Sequence, residues 1–202
     1  MRIGIDFDNT IVRYDLLFHS IAMEQRLVPP DMPADKVAIR DYLRLAGHED
    51  RWTEMQGLVY GARMSDAQAY VGAVECLCLA KKRRYDVSVV SHRTRHPFLG
   101  VPIDLHNAAR SWITSHLMCD GELLIPEASV FFEVTKDAKL ARIEALRCDV
   151  FIDDLPEILC ADRFPASTAR VLFDPDSHHA SSACEGLQVY RTWQEIAAHL
   201  CQ

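Results

Sequence analysis

The sequence predicts an α/β fold in which a mostly parallel sheet is covered by helices and a helical segment is inserted near the start. Three observations carry this. Short apolar runs rich in Val, Ile and Phe recur along the chain, and most are continuous rather than alternating, as in strands buried on both faces. Helical patterns separate the later runs, the alternation expected of parallel strands joined by crossover helices. The interval from residue 8 to residue 85 carries helical patterns and no good strand signal.

In chain order, strands are expected at Ile3 to Phe7, Asp86 to Val90, Ser129 to Val134, Asp149 to Ile152 and Ala169 to Phe173. Helices follow at Leu105 to Leu117, Lys136 to Leu146, Leu155 to Ala161 and Trp193 to Leu200. Thr192-Trp193-Gln194-Glu195 has capping-box spacing and starts the last of them. Within the early interval, helices are expected at Leu16 to Arg26, Lys36 to Leu45, Asp50 to Tyr60 and Asp66 to Lys82, separated by Pro29-Pro30, Pro33, Gly47 and Gly61. Ser65-Asp66-Ala67-Gln68 again fits a capping box. The interval is too long for one crossover, so residues 14–83 are read as a helical subdomain over the end of the first strand, and residues 1–13 with 84–202 as the core. The stretch from Asp174 to Gly186 reads as a loop.

With 202 residues and 49% hydrophobic content, the chain can bury a full core. A net charge of -7 and a pI near 5.7 argue against nucleic acid or an anionic membrane as the main partner. No stretch approaches the length of a membrane span, and no apolar leader precedes the first charges, so a cytosolic protein is expected. Seven scattered cysteines without a Cys-x-x-Cys pair agree with that. Cys76 and Cys78 face different ways on a helix, which disfavours a soft-metal site. His178-His179 resembles a zinc motif by composition alone.

The chemistry starts at the first strand, which runs into Asp6-Phe7-Asp8-Asn9-Thr10. Alternate residues of an extended chain share a face, so Asp6 and Asp8 point the same way. Two like charges so placed repel, and a cation or shared proton offsets that repulsion; an acidic turn is the other reading. In parallel α/β sheets ligands bind beyond the carboxyl ends of the strands. Reading those ends together collects Asp6, Asp8, Ser91, Asp153 and Asp154, with Lys136 and Lys139 on the helix after the third strand. Such a set suits phosphoryl transfer with Mg2+, which prefers hard oxygen ligands. Asp6 would attack phosphorus and form an aspartyl-phosphate. Asp8 would protonate the leaving oxygen and later activate water. Ser91 and a lysine would hold phosphoryl oxygens. Thr10 is a candidate phosphate contact or a turn residue. His92 and Arg93 are candidate contacts to a second anionic group on the substrate, or part of a solvated basic loop.

The order Asp-x-Asp-x-Thr, strand then Ser, Lys, and strand then Asp-Asp resembles the four motifs of the haloacid dehalogenase (HAD) superfamily. Ile3 to Thr10, Val87 to Thr94, Thr135 to Leu146 and Val150 to Glu157 carry that resemblance across essentially the whole chain. It implies a Rossmann-like three-layer core with an inserted helical cap that closes over the substrate. It assigns the nucleophile to Asp6 and the acid/base to Asp8, whose main-chain carbonyl would also reach Mg2+ beside Asp6, Asp153 and Asp154. The third-motif lysine would be Lys139 in preference to Lys136, and Glu157 could join the outer shell. Asp8 argues against the dehalogenase and phosphonatase branches, which lack that residue. The expectation is a Mg2+-dependent phosphatase of a small phosphorylated metabolite. A phosphomutase or phosphotransferase of the same fold, or a catalytically silent regulatory module that binds a phosphorylated ligand, are the alternatives. A response-regulator receiver has the same residue types in a different order.

Overall fold

The computed structural model describes residues 1–179 and 184–201. Residues 180–183, within the expected 174–186 loop, and Gln202 lie outside the described residues. The chain forms two compact units. One comprises Met1–Val12, Ala69–Arg93 and Thr114–Gln202; the other comprises Arg13–Gln68 and Thr94–Ile113.

The first unit is built on six parallel strands: β1 (Arg2–Ile5), β4 (Asp86–His92), β7 (Val130–Glu133), β8 (Val150–Asp153), β9 (Ala169–Phe173) and β10 (Leu187–Tyr190). Their order is β10-β9-β8-β1-β4-β7. Ile3 and Ile5 pair with Val87 and Val89 on one side and with Val150 and Ile152 on the other. From β1 the chain winds outward through β4 and β7, then returns to β8 on the opposite side. The winding direction therefore reverses between β1 and β8, the place where open α/β sheets form a ligand crevice.

Helices α6 (Lys136–Leu146) and α7 (Pro156–Leu159) cover one face of the sheet. There Leu140, Ile143, Ile158 and Leu159 bury themselves against Val90, Phe151 and Leu172. Gly4 is required by that packing, because a Cβ on it would come within 2.5 Å of the Phe151 ring. On the other face, α8 (Trp193–Leu200) sets Trp193 against Phe173, which also meets Tyr70 edge-on. Thr192 caps α8 through the expected capping box with Glu195.

The second unit packs α1 (Asp15–Glu24), α2 (Lys36–Leu45) and α3 (Glu49–Gly57), which continues as a π-helical turn over Leu58–Ala62. Phe18 stacks on Trp52 at 4.8 Å between ring centroids, and Tyr60 meets both Phe18 and Tyr14 edge-on. Asp35 caps α2 by accepting from the Val37 and Ala38 amides. Arg63 pairs with Glu24 and Asp66. Trp52, Tyr60 and Arg63 thus make contacts within their own unit.

Several local expectations are corrected. No helix starts at Asp66. A short 3-10 turn, Met64–Asp66, leads into β3 (Gln68–Ala69), which forms a two-stranded sheet with β2 (Val12–Arg13). The Tyr70 amide then donates to Ile11 O at 2.8 Å. Helix α4 (Ala73–Lys82) begins only after Gly72, whose φ of 88° turns the chain into it. The units also divide the chain elsewhere than at residues 13/14 and 83/84. Helix α4 leads into β4 and packs beside α8, with Tyr85 Oη donating to Leu200 O, so it belongs to the sheet. Residues 94–113, including most of α5 (Leu105–His116), pack with the helical unit. Glycine makes room there: a Cβ at Gly57 would lie 3.0 Å from Pro97 Cβ and one at Gly61 3.1 Å from Ile103 Cγ2, both tighter than ordinary contact.

Besides β2 and β3, two further features lacked a prediction. One is the half-exposed edge strand β10. The other is the hairpin of β5 (Met118–Cys119) and β6 (Glu122–Leu123), whose Asp120-Gly121 turn has φ of 51° and 81°. Cys160 and Cys184 form a disulfide that their spacing did not indicate. Among the described residues, no helix is long and apolar enough to cross a membrane.

Candidate active site

Strand pairing ends at Ile5, but the Asp6 amide still donates to Ile152 O at 2.8 Å, which holds Asp6 at the β1–β8 reversal. The chain then closes a single tight turn, with the amides of Ile11 and Val12 both donating to Phe7 O. Asn9 takes a left-handed conformation inside it (φ 57°), which Asn tolerates better than most residues. Thr10 is fully buried; its carbonyl accepts from Trp193 Nε1 at 3.1 Å and its hydroxyl donates to Asp154 Oδ1 at 3.4 Å. Asp6 is therefore buried while Asp8, past the strand end, is partly open.

Lys139 enters from the first turn of α6, where Thr135 caps the helix and accepts from the Ala138 amide. Its side chain is 1% exposed, and Nζ lies 2.6 Å from both Asp6 Oδ1 and Asp153 Oδ2. Burial, the largest influence, raises the Asp6 carboxyl to about 7; Lys139 opposes this, while Asp153 and Asp8 add to it. Burial would lower the Lys139 pKa, but Asp153 and Asp6 outweigh it and hold the ammonium above its ordinary value. The ion pair is thus one cation between two buried carboxylates, which leaves unbalanced negative charge.

Asp153 ends β8, and its Oδ1 accepts from the Leu155 amide in a side-chain turn that sets Pro156 at the start of α7. Its Oδ2 is fully buried and pairs with Lys139 Nζ at 2.6 Å. Carboxylate oxygens of Asp6, Asp153 and Asp154 lie within 4.8 Å of one another. Hard oxygen donors and surplus negative charge fit a small divalent cation such as Mg2+.

Ser91 is buried near the end of β4, paired in register with Phe132 and two residues beyond the Val89 that pairs with Ile5. The basic run after it divides. His92 is exposed, with Nε2 3.2 Å from Val134 O. Arg93 turns inward: its amide donates to Glu133 O, and its guanidinium lies 2.5 Å from Asp8 Oδ1. Lys136 is on the surface, paired with Glu157, and neither joins the Asp6 cluster. His178 and His179 donate their amides to the Asp174 carboxylate, a turn rather than a metal pair.

Asp6, Lys139, Asp153 and Asp154 are thus brought together, with Asp8 and Thr10 on the same turn. The Asp8–Arg93 pair was not foreseen. The basic run signalled cations beyond β4, and alternation along an extended strand end could have separated outward His92 from inward Arg93.

No family model and no curated protein matches the chain. Among solved structures it is similar to a HAD family hydrolase from Deinococcus radiodurans R1 with bound phosphate and sodium, at 14% identity, covering 99% of this chain and 94% of that one, with a TM-score of 0.61. It is similar to a predicted phosphoglycolate phosphatase from Haemophilus somnus at 14% identity, 100% and 97% coverage and a TM-score of 0.58. A structure described as a dehalogenase aligns at 14% identity, with 100% and 97% coverage and a TM-score of 0.53.

Proposed function

Since the chain has the fold of the HAD-superfamily hydrolases, we propose that it is a Mg2+-dependent phosphatase acting on a small phosphorylated metabolite. One observation carries the reading: Asp6, buried at the reversal point of the sheet, shares Lys139 with Asp153 while Asp8 stands two residues along on a tight turn. The carboxylates of Asp6, Asp153 and Asp154 would hold the metal, with the main-chain carbonyl of Asp8. Bound there, Mg2+ supplies charge neutralisation to the phosphoryl oxygens.

Asp6 attacks phosphorus through a carboxylate oxygen; the bond from phosphorus to the ester oxygen breaks, and the proton of Asp8 passes to that oxygen to release an alcohol. Water then attacks the aspartyl-phosphate, its proton returning to Asp8, and the bond from phosphorus to Asp6 breaks to release phosphate. Lys139 and Ser91 hold phosphoryl oxygens as charge develops. A helical cap, as the resemblance to the HAD motifs implies, would favour small substrates that a closed site can enclose and dry.

Release of p-nitrophenol from its phosphate ester tests the reading. Wild type with MgCl2 should turn over, chelation with EDTA should abolish turnover, and Asp6→Asn should fall to background. Steady turnover in Asp8→Asn should drop by about two to four orders of magnitude. A wild type inert across a broad panel of phosphate monoesters would contradict the proposal and favour a silent binding module.

A further inference from the structure

We propose that Arg93 is a positioning residue that orients the Asp8 carboxylate for proton transfer to and from the substrate oxygen; this rests on the phosphatase reading above. The two carboxylates of the turn have separate counter-charges. Asp6 has Lys139, whereas Asp8 has Arg93, with NH1 2.5 Å from Oδ1. A charge-assisted bond of that length fixes one oxygen of a carboxylate and with it the plane of the group.

Arg93 is itself held. Its amide donates to Glu133 O at 2.8 Å, continuing the β4–β7 ladder one residue past the strand, and its guanidinium carbon lies 5.8 Å from the Phe7 ring centroid. Exposure separates the two partners: the Arg93 side chain is 4% exposed and that of Asp8 21%. Asp8 is thus the partner open to a ligand, while Arg93 stands behind it. Burying an arginine without a partner is strongly unfavourable, so the pair holds together on both sides. A carboxylate on a turn just past a strand end would otherwise sample several rotamers, and proton transfer needs one of them.

The two catalytic steps make unequal demands on Asp8, and this gives the test. A nitrophenolate leaves without needing a proton, whereas an alkoxide does not. The value of kcat/KM reports events through the first irreversible step, release of the alcohol. Arg93→Met should therefore lose at least about tenfold more kcat/KM on glycerol phosphate than on p-nitrophenyl phosphate. Arg93→Lys, which retains the charge, should recover part of the alkyl-ester activity. In an Asp8→Asn background, Arg93→Met should cause little further loss on glycerol phosphate, because two residues acting through one group are not additive. The affinity for inorganic phosphate in MgCl2 should stay within about threefold of wild type in both Arg93 variants, since Arg93 stands behind Asp8.

Equal losses on the two esters, or additive losses with Asp8→Asn, would show Arg93 binding substrate directly and overturn the inference while leaving the phosphatase reading intact. So would a tenfold fall in phosphate affinity. If Arg93→Met does not fold, the same comparisons with Arg93→Lys decide. A wild type that hydrolyses neither ester overturns both readings together.

Discussion

At the scale of single residues, the site is a problem in balancing charge. The carboxylates of Asp6, Asp153 and Asp154 converge, and the buried ammonium of Lys139 lies 2.6 Å from two of them. Removing one partner of a buried ion pair typically costs about 3–5 kcal/mol, because the remaining charge is left uncompensated. Lys139→Met should therefore lower unfolding free energy in urea by about that amount in metal-free buffer, and saturating MgCl2 should restore part of the loss. A variant as stable as wild type in EDTA would show that the lysine does not balance Asp6 and Asp153. The residues themselves were legible in the sequence, because strand ends in a parallel sheet converge and Asp, Ser and Lys followed those ends. What sequence could not supply was pairing. Alternation past the strand end could set Arg93 inward of its exposed neighbour His92, but its pairing with Asp8, 85 residues away, depends on the fold.

At the scale of elements, the strands and most helices followed from apolar runs and their spacing, because buried parallel strands cannot hide their composition. Lys36–Leu45, Lys136–Leu146, Ala169–Phe173 and Trp193–Leu200 match the expected ranges. The helix expected from Asp66 failed because a local capping pattern lost to long-range pairing: Ser65 donates to Asp66, and the next residues join β2 instead. β10 escaped because a four-residue, half-exposed edge strand has neither a continuous run nor a clear alternation. The central strand carries the sharpest packing constraint. A Cβ at Gly4 would lie 2.5 Å from Phe151 Cδ2 and 2.8 Å from Cys148 Sγ. Overpacking a core of this kind costs about 1–3 kcal/mol, so Gly4→Ala should shift the urea midpoint down accordingly with an unchanged slope. An unshifted midpoint would mean that β1 and β8 can separate to admit the methyl group.

At the scale of the whole molecule, the winding of the sheet gathers residues separated by almost the entire chain. Asp6, Lys139 and Asp153 meet because β1 is central and the chain reverses direction between it and β8. The boundaries of the two units were less legible, since residues 94–113 follow a core strand in sequence yet pack with the helices, a long-range choice that composition does not record. The central claim is that Asp6 carries the phosphoryl group. Asp8→Asn can still be phosphorylated by p-nitrophenyl phosphate, whose leaving group needs no proton, but it should hydrolyse the intermediate slowly for want of a base. Mixing this variant with the ester and MgCl2, quenching in acid and mapping peptides by mass should reveal a burst of about one nitrophenolate per chain and one phosphoryl group, located on Asp6. Turnover without any phosphorylated chain, or a phosphoryl group on another residue, would contradict the account.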